Sequence, residues 1–387
     1  MQCAYKGGAV AVKKKRKKFL IILLIFIIYF LIAARPVPRE IILVPEWISS
    51  LENSENSAAS QWSDGLLPFT LGSSYGYVDS SGQFAVNRIK TNDICLSQSL
   101  WTEYDSEPVS ITINNIHDKT ELIIDNPEGY PFLLDNRIFI LGSDQNSLSE
   151  IGADGRAVWT YDFGAPLTCI DAAAGYTVTG SLDGFLEVFN SLGERIFNFN
   201  PDGSRYSIIL GCAVSRDGSR IGIICGIDQQ RFLLLERFGN EGDYRVVYHE
   251  FLDDSFRRPV RVLFIDNDQS VVYERIGGLG CYNIRTRRAI NIPLDGEIIA
   301  IDESGDQGIL FLITSASAYS QADAANKTLV GINFTPDKYF GLFSTQPKDM
   351  IFMKAPFKSD SVFLGRAGSV LVTGGGSALI SFGLEEK

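Results

Sequence analysis

The sequence predicts an all-β fold, a β-propeller of about seven four-stranded blades, with an N-terminal transmembrane helix in front of it. Three observations lead to this prediction. A unit of strand, turn and strand recurs at a spacing of 38 residues, and short apolar runs broken by glycine-containing turns continue almost to the C-terminus. Near the N-terminus, six consecutive cations precede sixteen uncharged, mostly apolar residues. The patterning also admits six or eight blades.

The repeat is clearest between two segments, "ILGSDQNSLSEIGADGRAVWTYDF" and "TGSLDGFLEVFNSLGERIFNF". Gly142 and Gly155 of the first segment align without a gap with Gly180 and Gly193 of the second. Each second glycine is followed by two aromatic residues two positions apart, the period at which strand side chains return to one face. Glycine supplies the positive φ that tight hairpin turns require. A repeat of about 40 residues made of short strands is typical of propeller blades.

Blade boundaries follow from the spacing of the turns. Residues 75–86, "YGYVDSSGQFAV", repeat the strand, turn and strand pattern before the first complete blade. The last blade lacks a fourth strand, so we expect the segment around 75–88 to complete it and leave no sheet edge unpaired. The later boundaries can be drawn in more than one way between residues 328 and 354. The predicted blades are 91–126, 129–162, 164–200, 203–250, 257–293, 294–344 and a last unit that ends at Leu384.

The N-terminal segment predicts that the protein is located at a membrane. Residues 1–18 form a basic cytoplasmic segment, and residues 19–34 form a transmembrane signal anchor, because the positive-inside rule keeps the cations in the cytoplasm. Sixteen helical residues span about 24 Å, slightly less than the hydrocarbon core of about 30 Å, and flanking cations can snorkel. A cleaved signal peptide is the alternative, although Leu31 and Ile32 stand where a cleavage site needs a small residue. A second alternative, a nuclear localisation signal, would account for the basic run but not for the apolar residues that follow it.

The remaining chain divides into a tether, 35–65, and a propeller domain, 66–387. The tether is rich in Pro, Ser, Asn and Glu, which bury little surface, although "IILVPEWI" within it can dock on the propeller or lie at the membrane interface. We therefore expect the tether to act as a spacer between anchor and propeller.

Charge restricts the partners. Residues 1–39 hold nine of the 35 basic residues and none of the 46 acidic ones, so the rest of the chain carries a formal net charge of −20. A domain this acidic has no general attraction for nucleic acid. One local exception is a group of six arginines in a single predicted blade, which either form a basic patch for an acidic protein partner or are solvated side chains near acidic neighbours. These candidate partner-binding residues are Arg257, Arg258, Arg261, Arg285, Arg287 and Arg288.

The cysteines do not form a recognisable disulfide framework. Cys3 precedes the predicted anchor, and five cysteines follow it, mostly within apolar runs where cysteine behaves as a small buried hydrophobe. Only Cys212 and Cys225, joined by "SRDGSR", are close enough in sequence to suggest a bond, which would require a register that places them opposite each other.

The sequence contains few residues suited to catalysis. Its two histidines, His117 and His249, fall in different predicted blades, and neither a nucleophile elbow nor a metal-ligand spacing is present. "DNDQS", residues 266–270, alternates oxygen-bearing side chains but lacks the glycine and the distant Glu of a calcium loop, which favours a blade turn. We therefore predict no catalytic residues, no metal and no cofactor.

The two repeat segments resemble blades of the quinoprotein-like and WD40-like β-propeller superfamily, through a G-x-x-D-G-x-L turn followed by a glycine and an aromatic residue. The resemblance covers about residues 72–384. Gly-His and Trp-Asp pairs typical of WD40 blades are absent, and only Trp159 stands at a quinoprotein docking position. The resemblance therefore implies the non-enzymatic branch, which includes exported scaffold propellers of the bacterial envelope.

These observations predict a protein-protein interaction scaffold rather than an enzyme. We expect a single-pass protein of the bacterial inner membrane, with its N-terminus cytoplasmic and its propeller in the periplasm. The alternative is a small-ligand sensor or enzyme that uses the propeller funnel, where Asp79, Asp144 and Asp183 would gather. Those aspartates lie in similar blade turns, where such residues typically stabilise the turn itself.

Overall fold

The computed structural model describes residues 18, 19, 22–26, 29, 41–52, 65–117, 119–201, 203–302, 304, 308–316, 325–334 and 347–386. The chain forms two compact units, one of residues 1–42 with 385–387 and one of residues 43–384. In the first unit, residues 18, 19, 22–26 and 29 are helical. No helix among the described residues has both the length and the apolar character needed to cross a membrane. Most of the predicted anchor, 19–34, lies outside the described residues.

The described strands form eight antiparallel sheets, here termed blades 1 to 8 in chain order. Blade 1 has three strands, β2 (Leu67–Leu71), β3 (Ser74–Val78) and β4 (Phe84–Ile89). Blade 2 contains β5 (Asp93–Leu96), β6 (Leu100–Tyr104), β7 (Ser110–Asn115) and β8 (Thr120–Asp125). Blade 3 contains β9 (Gly129–Leu134), β10 (Arg137–Gly142), β11 (Ser147–Ile151) and β12 (Ala157–Asp162). Blade 4 contains β13 (Leu167–Ala173), β14 (Tyr176–Ser181), β15 (Leu186–Phe189) and β16 (Arg195–Phe199).

The second half of the chain repeats the same arrangement. Blade 5 contains β17 (Ile209–Val214), β18 (Arg220–Cys225), β19 (Arg231–Arg237) and β20 (Tyr244–Phe251). Blade 6 contains β21 (Val262–Ile265), β22 (Ser270–Arg275), β23 (Gly278–Asn283) and β24 (Arg288–Pro293). Blade 7 contains β25 (Glu297–Ile301), β26 (Ile309–Ser315), β27 (Asn326–Asn333) and β28 (Ile351–Lys358), with a 3-10 helix at Pro347–Met350. Blade 8 contains β29 (Val362–Ala367), β30 (Val370–Gly375), β31 (Ala378–Glu386) and, paired with β31, the N-terminal strand β1 (Ile41–Ser50).

Apolar side chains between neighbouring blades form the core and close the ring. Blade 4 and blade 5 share one cluster, and blade 6 and blade 7 share another. Blade 8 packs on blade 1 through Val372 and Leu379 against Phe69 and Val78, so the last sheet meets the first. Fully burying one such side chain contributes about 1.5–3 kcal/mol, and these contacts recur around the ring. The described sheets therefore form an eight-bladed β-propeller.

The sequence located most blades but miscounted them. Blades 2 to 6 coincide with the predictions at 91–126, 129–162, 164–200, 203–250 and 257–293. The favoured count of seven blades is wrong and the alternative of eight is confirmed, because residues 75–86 do not join the last blade; they belong to the separate three-stranded blade 1. The strand that completes blade 8 is β1, which contains "IILVPEWI" and was assigned to the tether. The predicted end of one blade at 344 is also wrong, because its fourth strand is Ile351–Lys358.

Candidate interaction surface

The meander of each four-stranded blade places its connections at two opposite ends. One end, here termed the link face, carries the connections between blades and the turn between the second and third strands. The other end, the hairpin face, carries the two remaining turns. In blade 6 the N–H of Glu274 at the end of β22 donates to the carbonyl of Arg261 before β21 (3.0 Å), and both lie on the link face. On the hairpin face of the same blade, the N–H of Ile284 donates to the carbonyl of Gln269 (2.9 Å).

This arrangement separates the six candidate arginines. Arg257, Arg258 and Arg261 precede β21 and lie on the link face, whereas the other three lie at the turn between β23 and β24 on the hairpin face. The two loops therefore do not join in one basic patch, which was one of the two interpretations that the sequence left open. Three consecutive strands separate the two loops, and an odd number of strands puts them at opposite ends of the sheet. The hairpin-face residues are Arg285, Arg287 and Arg288.

Two of the link-face arginines have defined structural contacts. The guanidinium of Arg258 donates to the carboxylate of Glu274 at 2.6 Å and lies 4.5 Å from the centroid of the Phe256 ring. The side chain of Glu274 is only 2% exposed, so the ion pair compensates a buried charge. Arg261 donates to the carbonyls of Ile298 and Ile299 in blade 7. Arg257 is exposed to solvent.

Large apolar side chains are exposed on the link face of blades 4 to 6. Tyr206 in the connection between blades 4 and 5 is 60% exposed, and Phe251 at the end of β20 is 52% exposed. Exposed apolar residues also occupy the turn between β14 and β15 and the turn between β22 and β23. We term this surface the aromatic face; its exposed apolar members are Leu182, Phe185, Tyr206, Phe251 and Ile276.

Contacts between successive loops make the aromatic face continuous. The turn of blade 4 lies against the next connection, since a Cβ on Gly184 would lie 2.4 Å from the carbonyl oxygen of Ser207. That connection reaches blade 5, where a Cβ on Gly203 would lie 3.2 Å from Nη1 of Arg231. The Arg231 guanidinium in turn lies 5.7 Å from the centroid of the Phe251 ring. These contacts join blades 4 and 5, and the ion pair of Arg275 with Asp253 (3.1 Å) extends the surface to blade 6.

A buried glutamine fixes the connection between blades 5 and 6. Gln230 is fully buried, and its side-chain amide donates to the carbonyls of Gly226 (3.0 Å) and Phe256 (3.2 Å). Its side-chain oxygen accepts a hydrogen bond from the N–H of Phe256 (3.1 Å). The side chain of Gln230 therefore satisfies both the backbone N–H and the backbone carbonyl of Phe256. The connection that follows Phe251 and contains Arg258 is therefore held in place.

A cavity of about 500 Å³ opens beside Ile276. Its polar lining includes Asp253, Arg275 and Asn291, and its apolar lining includes Leu279 and Ile292. The guanidinium of Arg275 donates to Glu250, Asp253 and Asn291, so its charge is compensated within the protein.

The other candidates from the sequence do not converge. Asp79 accepts hydrogen bonds from Ser81 and Gln83 within its own turn, and Asp144 and Asp183 likewise bond to residues of their own turns. These three aspartates lie in blades 1, 3 and 4 and do not gather at one site. Within the described residues, no group of three His, Cys, Asp or Glu side chains is placed to hold a metal ion.

The structure is a β-propeller with an exposed aromatic face, and comparison with known proteins agrees with the fold. A family model described as "beta-propeller protein" matches residues 10–327, most of the chain, which therefore belongs to that family. An uncharacterized protein of Treponema pallidum (strain Nichols) is 27% identical over 236 residues, covering 61% of this chain. The chain spans 62% of the length of that curated relative.

Two solved structures are similar in fold. The computationally designed Ika8 protein has a TM-score of 0.59 and 13% identity, over 87% of this chain and 98% of its own. BamB from Moraxella catarrhalis has a TM-score of 0.51 and 9% identity, over 88% of this chain and 100% of its own. At these identities the likeness concerns the fold alone.

Proposed function

We propose that this chain is a protein-interaction scaffold whose partner docks on the aromatic face of blades 4 to 6. One observation carries the proposal: exposed aromatic side chains and Arg231 form a continuous surface on loops that buried hydrogen bonds hold in place. Aromatic and arginine side chains supply most of the binding energy at protein interfaces, and they do so best when they are ordered before binding.

The cavity beside Ile276 supports the same proposal. Interfaces commonly seat one large side chain of the partner in a pocket next to exposed aromatic residues. The cavity contributes Leu279 and Ile292 as apolar walls and Asn291 as a polar group, which suits an aromatic or long aliphatic side chain with a polar tip. The small-ligand alternative has less support, since Asp79, Asp144 and Asp183 are engaged in separate turns.

The proposed scaffold works outside the cytoplasm, held at a bacterial inner membrane by residues 19–34. The support is the charge pattern, six consecutive cations directly before the apolar run and a net charge of −20 beyond residue 39. A reporter fused after Lys387 should then be active only outside the cytoplasm, and the protein should stay with membranes after an alkaline wash. Release into the soluble fraction with a new N-terminus near Arg35 would instead indicate cleavage.

Site-specific photo-crosslinking tests the docking surface. A photoreactive amino acid is placed at Tyr206 or Phe251 in the full chain, and matched controls carry it at Leu192 or Phe238. These controls are 70% and 43% exposed and lie in turns of blades 4 and 5 on the hairpin face. We expect discrete crosslinked products in native membranes from the first two positions only. The same products from all four positions, or products from the controls alone, would contradict the proposal.

A further inference from the structure

Two cysteines meet at the boundary between blades 4 and 5. Cys169 lies on β13 and Cys212 on β17, the first strands of the two blades, and both are half-buried free thiols. Within its own sheet Cys212 faces Ile223, and Cys225 faces Ile209, so the sequence-based suggestion of a Cys212–Cys225 bond is wrong. The neighbour of Cys212 comes instead from the adjacent blade.

Side chains on both sides of Cys169 tie β13 to β17. The hydroxyl of Thr168 donates to the carbonyl of Ile209, and the N–H of Val214 donates to the carboxylate of Asp171 at 2.7 Å. Cys169 lies between Thr168 and Asp171 on β13, and Cys212 lies between Ile209 and Val214 on β17. The two strands are therefore held side by side along the stretch that carries the two thiols.

Both sulfur atoms also rest against β14. The thiol of Cys212 lies 3.8 Å from the carbonyl oxygen of Val178, and a Cβ on Gly180 would lie 2.6 Å from Sγ of Cys169. Gly180 thus leaves the space that the Cys169 thiol occupies. A hydrogen bond with the Cys169 thiol, together with burial, raises the pKa of Cys212. The two thiols are direct neighbours.

We propose that Cys169 and Cys212 are a redox modification site, at which a disulfide forms reversibly between blades 4 and 5. The co-reactant is a low-molecular-weight disulfide. The thiolate of Cys169 attacks one of its sulfur atoms, the external S–S bond breaks, and one small thiol leaves. The thiolate of Cys212 then attacks the sulfur of Cys169 and expels the second small thiol. Two protein thiols are oxidised to one disulfide, and one external disulfide is reduced to two thiols.

The bond would enclose the chain from residue 169 to 212, including the connection that carries Tyr206. It would therefore restrain part of the aromatic face, although the proposal does not depend on the function of that face. The raised pKa of Cys212 keeps its thiol protonated, so the second step is expected to be slow at neutral pH and faster as the pH rises.

The test uses the purified full chain in glutathione buffers of defined redox ratio. Remaining thiols are blocked with N-ethylmaleimide, and the protein is digested and analysed by mass spectrometry. We expect a peptide pair linked through Cys169 and Cys212 under oxidising conditions, and a Tm that is higher than that of the reduced protein by on the order of 5 °C. Cys169→Ala and Cys212→Ala should each abolish both signals, whereas Cys95→Ala, a half-buried cysteine in blade 2, should keep them.

The mass-spectrometric measurement on the unmodified sequence decides the proposal even if a variant folds poorly. Both cysteines recovered as alkylated thiols after prolonged exposure to oxidised glutathione would overturn it. A linked peptide that joins either cysteine to a different one would also overturn it. Cys169→Ser offers a second, near-isosteric variant for the Tm comparison.

Discussion

The indole of Trp159 stacks on the ring of Phe189 across the boundary between blades 3 and 4, with ring centroids 5.6 Å apart and an interplanar angle of 15°. Gly193, in the turn between β15 and β16, packs against the same indole, and a Cβ there would lie 2.3 Å from Cγ of Trp159. The equivalent Gly155 of blade 3 lies against the carbonyl of Ile123 in blade 2. In blades 3 and 4 the repeated glycine is thus the point at which the outer strand of the preceding blade packs.

Gly193→Ala should destabilise the protein by about 2–4 kcal/mol. Its φ of +76° strains any L side chain by about 1 kcal/mol, and the contact with Trp159 adds an overpacking cost. Gly239 is a matched control because it has the same φ of +76° and nothing within 4 Å of an added Cβ. Gly239→Ala should cost only the strain, about 1 kcal/mol. If urea unfolding gives the same loss in the free energy of unfolding for Gly193→Ala and Gly239→Ala, the contact between Gly193 and Trp159 does not contribute to the cost.

The 38-residue repeat was sufficient to predict most blades, because glycine turns and period-two aromatics are local signals. It could not give the blade count. Blade 1 has only three strands, and β1 reaches blade 8 from the opposite end of the sequence. Nothing local in "IILVPEWI" distinguishes a docked strand from a tether, since its partner β31 lies more than 300 residues away. Ring closure is a non-local property, and the sequence pattern does not encode it directly.

The aromatic face was not predicted for a related reason. Phe185, Tyr206 and Phe251 are single aromatic residues next to turns, and each in isolation looks like the edge of a strand. Only the meander, which puts alternate connections on one face, brings the three together. The same rule separates Arg258 from Arg287, although both lie within one blade. A sequence reading that assigned each turn to a face would have found the aromatic residues and rejected the single basic patch.

Removal of the Arg258 side chain should cost about 2–3 kcal/mol of stability. Glu274 is 2% exposed and accepts from Arg258 at 2.6 Å, so Arg258→Ala leaves a buried carboxylate without its cation. This loss of stability is at or below the low end of the range for breaking a buried ion pair, because the Arg258 side chain is itself 40% exposed. Arg257→Ala, one residue earlier and exposed, should change stability by less than about 0.5 kcal/mol. The double variant Arg258→Ala with Glu274→Gln should recover part of the loss, and no recovery would argue against the ion pair as the cause.

Asp217 should make stability depend on acid pH. Burial acts to raise its pKa, but hydrogen bonds from Ser215 and Ser219 outweigh burial and hold the pKa at about 2, below the ordinary 3.8. The ionised carboxylate therefore stabilises the folded state above pH 3.8, and this contribution is lost as the pH falls toward 2. Asp217→Asn should lower stability at pH 7 by about 1 kcal/mol, a value reduced for solvent exposure. In urea unfolding between pH 7 and 3, the difference from the wild type should shrink below about pH 4; a constant difference would contradict this.

Trp47 should be needed for closure of the ring. It lies on β1, packs in the apolar cluster shared by blades 8 and 1, and donates from Nε1 to the carbonyl of Ser80 at 2.8 Å. The next contact along β1 is also to blade 1, since Ser49 donates to the carbonyl of Gly82 at 2.7 Å. β1 thus completes the sheet of blade 8 and fastens it to blade 1.

Trp47→Ala removes a half-buried ring and one hydrogen bond, and we expect a loss of about 2 kcal/mol in the free energy of unfolding. Ile48→Ala is the control, because Ile48 is 72% exposed on the same strand and should change stability by less than about 0.5 kcal/mol. Native-state hydrogen exchange provides a local readout. When β1 detaches, the amides of β31 lose their outer partner strand and should exchange faster in Trp47→Ala than in Ile48→Ala. If β31 is equally protected in both variants, β1 does not hold the ring closed, and closure must depend on the packing of Val372 and Leu379 against Phe69 alone.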